Sequence, residues 1–336
     1  MNLIMPKSLT NAVERSLRLN GNPFDPGTSV APPQGRYTCV HYGIMVPNLP
    51  PPYNFLNLIT VIGQPKVKLF RNSHLIKTTA LDTANVLVGT AIGTPDHFNG
   101  YSVARDCELR PDGSYLRFGD DLVIEGRYPN FTARRSGKAF NFVLELRATS
   151  KIAHFAKMLG GVYDHWALLC EYTGHIEHDG LKTPLQGLCT FEYARVINLS
   201  LPLRFFTYQI LNIDARTQVL MVVVLGPLNA ELQRRVYVRS LDDHGGTYTH
   251  GFDFIVHEHE AESVVTPDGT AMRLPKKFSW RVDDESGNEL ISIGGSANGD
   301  FKYGMAGGYA GSYGYRGRFK GRPIDGTGYI EYIDCR

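Results

Sequence analysis

The sequence predicts an all-β protein: two antiparallel β-barrels in tandem, preceded by a short N-terminal helix. Three observations predict this class: a repeated closing pattern, many short strands between turn residues, and a length of 336 residues, which suits about two domains. The repeated pattern is Gly, four residues and then Glu-Tyr, at 187–193 and again at 326–332. An internal repeat of this kind indicates two similar units. Each unit therefore carries one carboxylate near the end of its last strand.

The N-terminal segment contains one helical pattern. Over residues 8–19, Ser8 is a candidate N-cap, and Leu9, Val13 and Leu17 recur four apart, as one apolar stripe of a helix requires. Turn residues at 20–27 end this pattern. We therefore assign residues 1–35 to a helix and an extended arm.

From residue 55 onward the pattern is that of short strands. In 140–148, Phe140, Phe142 and Leu144 alternate with polar or smaller residues, as in a half-buried strand. Further strands are predicted at 55–62, 102–109, 114–118, 166–172 and 187–193. Asp179-Gly180 predicts a tight hairpin turn between two of the strands.

The second half repeats this texture with three predicted hairpins between 205 and 293. The Gly- and Tyr-rich tail, 301–324, is interpreted as two strands, with low-complexity disorder as the alternative. We expect a first barrel at 36–198 and a second at 199–336, with the boundary near Pro202.

Composition excludes several classes of protein. The net charge is +2, from 35 Lys+Arg against 33 Asp+Glu, which does not favour nucleic acid or an anionic membrane as a partner. The longest apolar run, 219–225, is too short for a transmembrane helix, and no signal peptide is evident. The five cysteines are odd in number and scattered, which favours reduced thiols. We expect a soluble, cytoplasmic protein, and the sequence leaves its oligomeric state open.

Several segments together resemble a known family. They are the aromatic-led hairpin at 205–224, the Gly-rich closing region at 308–311, 317–321 and 326–331, and the segment 174–187. The chain resembles the two-domain, lipocalin-like proteins that include carotenoid 1,2-hydratase and the AttH-like proteins. The resemblance implies two tandem lipocalin-like barrels. Family hydratases tend to carry an Asp-His pair where this chain has Glu192-Tyr193, so the resemblance implies the fold more directly than the activity.

Glu192 and Glu331 are the first candidate functional residues. Alternate side chains of a barrel strand face inward, and a carboxyl buried in an apolar cavity has a raised pKa that suits a general acid. The alternative is a structural role, which the presence of the same residue in both repeats favours. We retain Glu192 as a catalytic candidate, and we expect Glu331 to be mainly structural and close to a ligand.

Asp164-His165-Trp166 offers an acid, a base and a stacking surface at a strand start. A hydrogen-bonded structural Asp–His pair is the alternative. If the first barrel contains an active site, His165 is the leading candidate for its histidine, with Asp164 beside it.

Two further patterns, one of histidines and one of basic residues, are explained by solvent-exposed strands as well as by a binding site. His257 and His259 share one face of a strand, as two metal ligands do, but a solvated edge strand explains them equally well, and His250 is a weak third ligand. The basic residues of the tail, such as Arg316 and Arg318, fit a solvent-facing strand. No phosphate-binding loop or nucleophile motif is present. We predict no metal, no cofactor and no nucleic-acid partner.

The aromatic content favours an apolar small-molecule site. We predict binding of a lipophilic ligand, such as an isoprenoid, sterol or fatty acyl compound, in a barrel cavity or between the barrels. The alternatives are a cofactor-independent lyase or isomerase that acts on a polyene or terpenoid, and a structural module with filled barrels. The expected ligand-binding residues are Trp166, Tyr193, Phe206, Tyr208, Trp280, Tyr329 and Glu331.

Overall fold

The structure is a computed structural model that describes residues 15–198, 202–243, 245–305 and 307–336. Strands dominate it, and helices are short. Two α-helices of one turn are present in these residues, α1 (Ser16–Leu19) and α2 (Val103–Asp106). The 3-10 turns are Lys68–Phe70, Ser73–Leu75, Leu159–Gly161 and Pro227–Asn229. Residues 8–14 of the predicted N-terminal helix lie outside the described residues, so only its last turn is observed.

The first sheet is an antiparallel sheet of eleven strands in the order β4-β3-β2-β1-β11-β10-β9-β8-β7-β6-β5. Its strands are β1 (Cys39–Val46), β2 (Leu56–Ile62), β3 (Thr83–Gly89), β4 (Phe98–Ser102), β5 (Cys107–Leu109), β6 (Tyr115–Phe118), β7 (Leu122–Arg127), β8 (Asn130–Ser136), β9 (Phe140–Lys157), β10 (Tyr163–His178) and β11 (Leu181–Val196). It curls into a nearly closed barrel.

The second sheet has ten strands, and its main path runs β15-β14-β13-β12-β23-β22-β20-β19-β16 with β21 paired to β22. Its strands are β12 (Phe205–Asn212), β13 (Thr217–Leu225), β14 (Glu231–Ser240), β15 (Gly246–Tyr248), β16 (Asp253–His259), β19 (Pro275–Asp283), β20 (Glu289–Ala297), β21 (Lys302–Met305), β22 (Gly308–Phe319) and β23 (Arg322–Asp334); β17 (Val264–Val265) and β18 (Ala271–Met272) pair separately. This sheet forms a half-barrel.

Both sheets use the repeated closing strand in the same way. In the first sheet β11 joins the first strand, β1, to β10, and in the second sheet β23 joins β12 to β22. The meander thus closes when its last strand pairs with its first. The all-β, lipocalin-like class predicted from the sequence is confirmed, with a nearly closed barrel in the first sheet and a half-barrel in the second.

Side-chain alternation divides each sheet into two buried faces. Inside the first barrel, Tyr42, Trp166 and Tyr193 belong to one apolar cluster. The opposite face of the same strands packs against the second sheet, where Met45, Ile59 and many residues of the second sheet form another cluster. Because successive side chains of a strand point to opposite faces, residues between two interior residues of β1, β10 and β11 point out of the first barrel, and those such as Met45 and Ala167 pack against the second sheet.

Turn chemistry predicted several of these elements well. Asp179 and Gly180 join β10 to β11 with φ of 50° and 75°. Positive φ at both central residues is what a two-residue type I′ hairpin turn requires. The tail, interpreted as two strands, contains the short strand β21, the strand β22 and the start of β23. The strand predicted at 102–109 is wrong in part, since α2 interrupts it and β4 and β5 become the two edges of the barrel.

No helix among the described residues has the length and apolar composition that crossing a bilayer requires.

Candidate functional site

The two sheets enclose a cluster of polar side chains built around Glu192. Glu192 lies on β11, between Gly43 of β1 and Ala167 of β10 in the strand register. Its neighbours Phe191 and Tyr193 point into the first barrel. Glu192 therefore points out of that barrel and into the contact with the second sheet, and the interpretation that it faces the barrel interior is wrong.

Two histidines and a tyrosine surround this carboxylate. Nε2 of His41 and Nε2 of His165 each lie 3.6 Å from Oε2 of Glu192. The hydroxyl of Tyr208, on β12 of the second sheet, donates a hydrogen bond of 2.5 Å to the other oxygen, Oε1. The side chain of Glu192 is 5% exposed, whereas those of His41 and His165 are each 19% exposed. Solvent therefore reaches part of each imidazole, although Nε2 of His165 is itself buried, and it hardly reaches the carboxylate.

The far side of each imidazole is held in place. Nδ1 of His41 lies 2.9 Å from the carbonyl oxygen of Thr60, so this nitrogen carries a hydrogen and donates it. Nδ1 of His165 pairs with the hydroxyl of Tyr163 at 2.9 Å. The ring of Phe155 packs edge-on against His165, with 4.8 Å between the ring centroids. Both rings consequently present Nε2 to the same side.

The pKa values reflect burial and the contacts between these groups. Burial raises the pKa of Glu192, but the contacts with His165 and His41 outweigh it and lower that pKa to about 2. Burial lowers the pKa of His165, and Glu192 opposes this shift. Burial and the nearby Glu192 raise the pKa of the Tyr208 hydroxyl well above its ordinary value. Glu192 is therefore an ionised acceptor, and Tyr208 is a neutral donor.

Glu331 also lies at the contact between the sheets, opposite Tyr208 in the strand register. The hydroxyl of Tyr329 donates to its Oε1 at 2.9 Å, and Nδ2 of Asn57 donates to that hydroxyl at 2.9 Å. Burial, and then the charge of Glu192, raise the pKa of Glu331 well above its ordinary value. Both influences therefore favour the protonated form of this second carboxyl.

Gly43 leaves space beside the cluster. A Cβ added at this position would lie 2.9 Å from Nε2 of His41 and 3.3 Å from Cβ of Glu192. Both distances are shorter than ordinary van der Waals contact. An alanine here would displace the ring of His41, so the glycine keeps the space in front of that nitrogen open.

Arg239 of the second sheet supports the neighbouring part of the contact. Its guanidinium donates to the carbonyl oxygen of Ala167 and to the hydroxyl of Thr190, each at 3.0 Å, and also to Gln218. Ala167 and Thr190 flank the position of Glu192 on β10 and β11. A buried arginine thus fixes the strands that carry the cluster.

Asp164 and His165 do not form the pair that their adjacency suggested. Because they are consecutive in a strand, they lie on opposite faces. Asp164 binds Nζ of Lys157 at 2.8 Å and Nη2 of Arg195 at 3.4 Å. Asp164 is therefore part of an ion-pair network, whereas His165 lies beside Glu192.

The predicted ligand-binding residues fall into four places. Trp166 and Tyr193 fill the interior of the first barrel, and Tyr193 also borders an open recess of about 310 Å³. Trp280 is buried with the aromatic residues of the second sheet. Phe206 packs edge-on against Phe70, with 5.8 Å between the ring centroids. The remaining three, Tyr208, Tyr329 and Glu331, are in or beside the cluster.

His257 lies on the exposed strand β16, where its Nε2 pairs with the hydroxyl of Ser279 at 2.7 Å. It takes no part in the cluster.

The sequence did not reveal His41, Tyr163 or Asn57. His41 lies on β1, which we did not predict, and it is far from Glu192 in sequence. The pairing of β1 with β11 brings the two together. The alternation of residues in 39–46 was a local signal for a strand, since the polar His41 lies between Val40 and Tyr42.

The described residues contain one group of at least three His, Cys, Asp or Glu side chains arranged to hold a metal ion. It consists of His41, His165 and Glu192, with one ligand atom of each within 4.8 Å of the others.

The fold and this cluster together define a lipocalin-like protein of two barrels with acid–base groups between its sheets. The chain belongs to a family described as "Family of unknown function (DUF6670)", whose model matches residues 59–336. A comparison with curated proteins found no match.

Two solved structures share the fold. An AttH-like protein from Nitrosomonas europaea is 13% identical with a TM-score of 0.60, and the match covers 93% of this chain and 99% of that one. Kievitone hydratase from Nectria haematococca is 12% identical with a TM-score of 0.56, and the match covers 97% of this chain and 94% of that one. The AttH-like architecture expected from the sequence is thereby confirmed.

Proposed function

We propose that this protein adds water to, or removes it from, a carbon–carbon double bond of an unsaturated lipophilic compound, at the cluster between the sheets. The observation that carries the proposal is the arrangement of two partly exposed imidazoles on one buried carboxylate, Glu192. The fold, which kievitone hydratase shares, is consistent with such chemistry.

Hydration of a double bond needs a base and an acid. A base takes a proton from water as its oxygen bonds to one carbon, and an acid gives a proton to the other carbon. Nε2 of one imidazole is the base, and Nε2–H of the other is the acid. The ring centroids of the two histidines are 6.0 Å apart, and the rings are nearly perpendicular. One ring can therefore act at each carbon of a double bond that lies beside them.

Glu192 acts by holding and polarising the rings. A carboxylate beside an imidazole stabilises the imidazolium form, as in the catalytic triad of serine hydrolases. Here a single carboxylate serves two rings, so it favours one proton shared between them. Tyr208 fixes the carboxylate, and Thr60 and Tyr163 fix the outer nitrogens.

Aromatic side chains beside the rings favour a lipophilic substrate. Phe155 contacts His165 and also packs edge-on against Tyr208, with 5.5 Å between those ring centroids. An apolar wall with few polar groups is the usual form of a small-molecule site. Glu331 and Asp164 receive no catalytic role in this proposal.

The test is incubation of the purified protein with a panel of isoprenoids, prenylated aromatics and unsaturated fatty acids in water enriched in the heavy oxygen isotope. We expect mass spectrometry to find a product that has gained one labelled water, and Glu192→Gln to abolish this product. His257→Ala, which alters a histidine outside the cluster, serves as the matched control and is expected to retain activity.

A compound that binds and is recovered unchanged by both proteins would instead identify the chain as a carrier. That result would overturn the catalytic proposal, as would full activity of the Glu192→Gln variant.

A further inference from the structure

We propose that Nε2 of His41, Nε2 of His165 and Oε2 of Glu192 form a binding site for one divalent first-row transition metal ion, with Zn²⁺ as the reference ion. The inference concerns the same side chains as the proposed function but does not rest on the reaction, because an imidazole nitrogen that binds a metal ion cannot also act as the base or the acid. Metal binding can be measured without any substrate.

Each of the three side chains has one polar atom in a hydrogen bond to a neighbouring group. Its second polar atom points toward the space shared by the three side chains. Thr60 holds Nδ1 of His41, Tyr163 holds Nδ1 of His165, and Tyr208 holds Oε1 of Glu192. Metal-binding histidines almost always have the other ring nitrogen bonded to a carbonyl, carboxylate or other polar group. These outer contacts therefore leave the two Nε2 atoms and Oε2 as the ligand atoms.

The distances between these atoms suit a bridging ion better than direct contact. Each Nε2 lies 3.6 Å from Oε2, which is longer than a hydrogen bond of about 2.7–3.2 Å. Two ligands on a tetrahedral ion, with bonds of about 2.1 Å, lie about 3.4 Å apart. The Nε2 atom of His165 is buried and has no hydrogen-bond partner.

Gly43 leaves space beside one of the ligand atoms. The Cβ that Gly43 lacks would lie 2.9 Å from Nε2 of His41. Two imidazoles and one carboxylate are a common ligand set of catalytic zinc, which keeps an open position for water. A water on such an ion has a pKa of about 7.

The experiment is a metal titration of the full chain after treatment with a chelator. Zn²⁺ binding is measured by equilibrium dialysis and elemental analysis, and Co²⁺ is used as a spectroscopic probe of the ligand geometry. We expect one ion per chain and a visible Co²⁺ spectrum typical of low coordination number. Glu192→Gln and His165→Ala are expected to lower the affinity more than about 100-fold, because loss of an outer contact alone typically costs about 10–100-fold.

Two milder variants keep the test independent of folding. Tyr163→Phe removes only the hydroxyl that pairs with His165 and is expected to weaken Zn²⁺ binding by about 10-fold. Gly43→Ala is expected to weaken it by a similar factor through displacement of the His41 ring. Its control is Gly294→Ala, a strand glycine with open space around the added Cβ, which is expected to bind Zn²⁺ like the original chain.

Binding that is absent, or equal in Glu192→Gln and the original chain, would overturn the metal site. Loss of binding in His257→Ala instead would move the site to β16 and also overturn it. The two proposals fail separately: bound metal without any hydration product counts against the reaction alone. If chelator-treated protein binds no ion in the titration but hydrates its substrate at full rate, the result counts against the metal site alone.

Discussion

Glu192 and Glu331 occupy the same place in two similar strands, but they have opposite electrostatic properties. Each is followed by a tyrosine at the end of a repeated pattern, and each lies in the strand that closes its sheet. The pKa of Glu192 is lowered to about 2, whereas that of Glu331 is raised well above its ordinary value. Position in the fold therefore does not determine the charge of the carboxyl.

The neighbours two residues away explain the difference. His165 of β10 and His41 of β1 both lie opposite Ala194, two residues beyond Glu192. On β12, the residue opposite Ile333, two residues beyond Glu331, is Phe206. An imidazole can share a proton with a carboxylate and thereby stabilise its charge, whereas a phenyl ring cannot. Pairs of carboxyls with pKa values displaced in opposite directions are typical of sites that use acid–base chemistry.

The largest expected effect distinguishes the two carboxyls directly. Glu192→Gln removes a charge held by Tyr208 and two histidines, and we expect a loss of about 3 kcal/mol in the free energy of unfolding at neutral pH, in the low range for a broken buried ion pair. Glu331→Gln replaces a carboxyl whose pKa is raised well above its ordinary value by a neutral amide of the same shape, which takes up no proton on folding, so we expect stability at neutral pH to be retained or increased. Chemical denaturation of both variants, in the presence of a chelator, measures the contrast. Equal losses would show that both carboxyls have the same charge.

Removal of the tyrosine hydroxyl that contacts each carboxyl should show the same contrast in the free energy of unfolding. Tyr208→Phe leaves the charged Glu192 without its donor, and a hydrogen bond to a charged group contributes about 2 kcal/mol. Tyr329→Phe removes a hydrogen bond to a neutral carboxyl, which contributes about 1 kcal/mol. The same denaturation measurement applies. A larger loss for Tyr329→Phe would reverse the assignment of charge.

The pH dependence of stability separates the same two carboxyls in smaller steps. Glu192 has a lowered pKa in the folded state, so its contribution is complete above the unfolded value of about 4.3 and is lost as the pH falls toward 2. Glu331 has a raised pKa, so its contribution is complete below about 4.3 and is lost as the pH rises toward its folded value. Each effect amounts to at most about 1.4 kcal/mol per pH unit within its window.

The free energy of unfolding of the two glutamine variants, measured as a function of pH, separates these two pH ranges. Glu192→Gln should flatten the acid limb, and Glu331→Gln should flatten the limb above the ordinary carboxyl pKa. If Glu331→Gln leaves the upper limb unchanged, the carboxyl of Glu331 is ionised in the native protein.

The sequence predicted the fold well because its strongest signals are local. Turn residues such as Asp179-Gly180 and the alternation in 140–148 depend only on neighbours along the chain. The repeated pattern also identified both closing strands and both glutamates. Alternation further predicts that Asp164 and His165 face opposite ways, but their adjacency in the sequence led us to group them.

The candidate site could be predicted only in part, because its members come from separate strands. Pairing of β1 with β11 places His41 beside Glu192, and packing of the second sheet adds Tyr208. Neither contact has a signature within a short stretch of sequence. The direction of Glu192, out of its own barrel, depends on how the two sheets pack, and this packing is a tertiary property.

All three proposed metal ligands come from the first sheet, and the second sheet contributes Tyr208 and the covering surface. The second sheet therefore sets the dielectric environment of a site that it does not build. Electrostatic interactions strengthen as water is excluded, so the charge on Glu192 is governed by a surface far from it in sequence. Substitutions on the β12 face, such as at Tyr208, are then a means of tuning the site without changing any of its ligands.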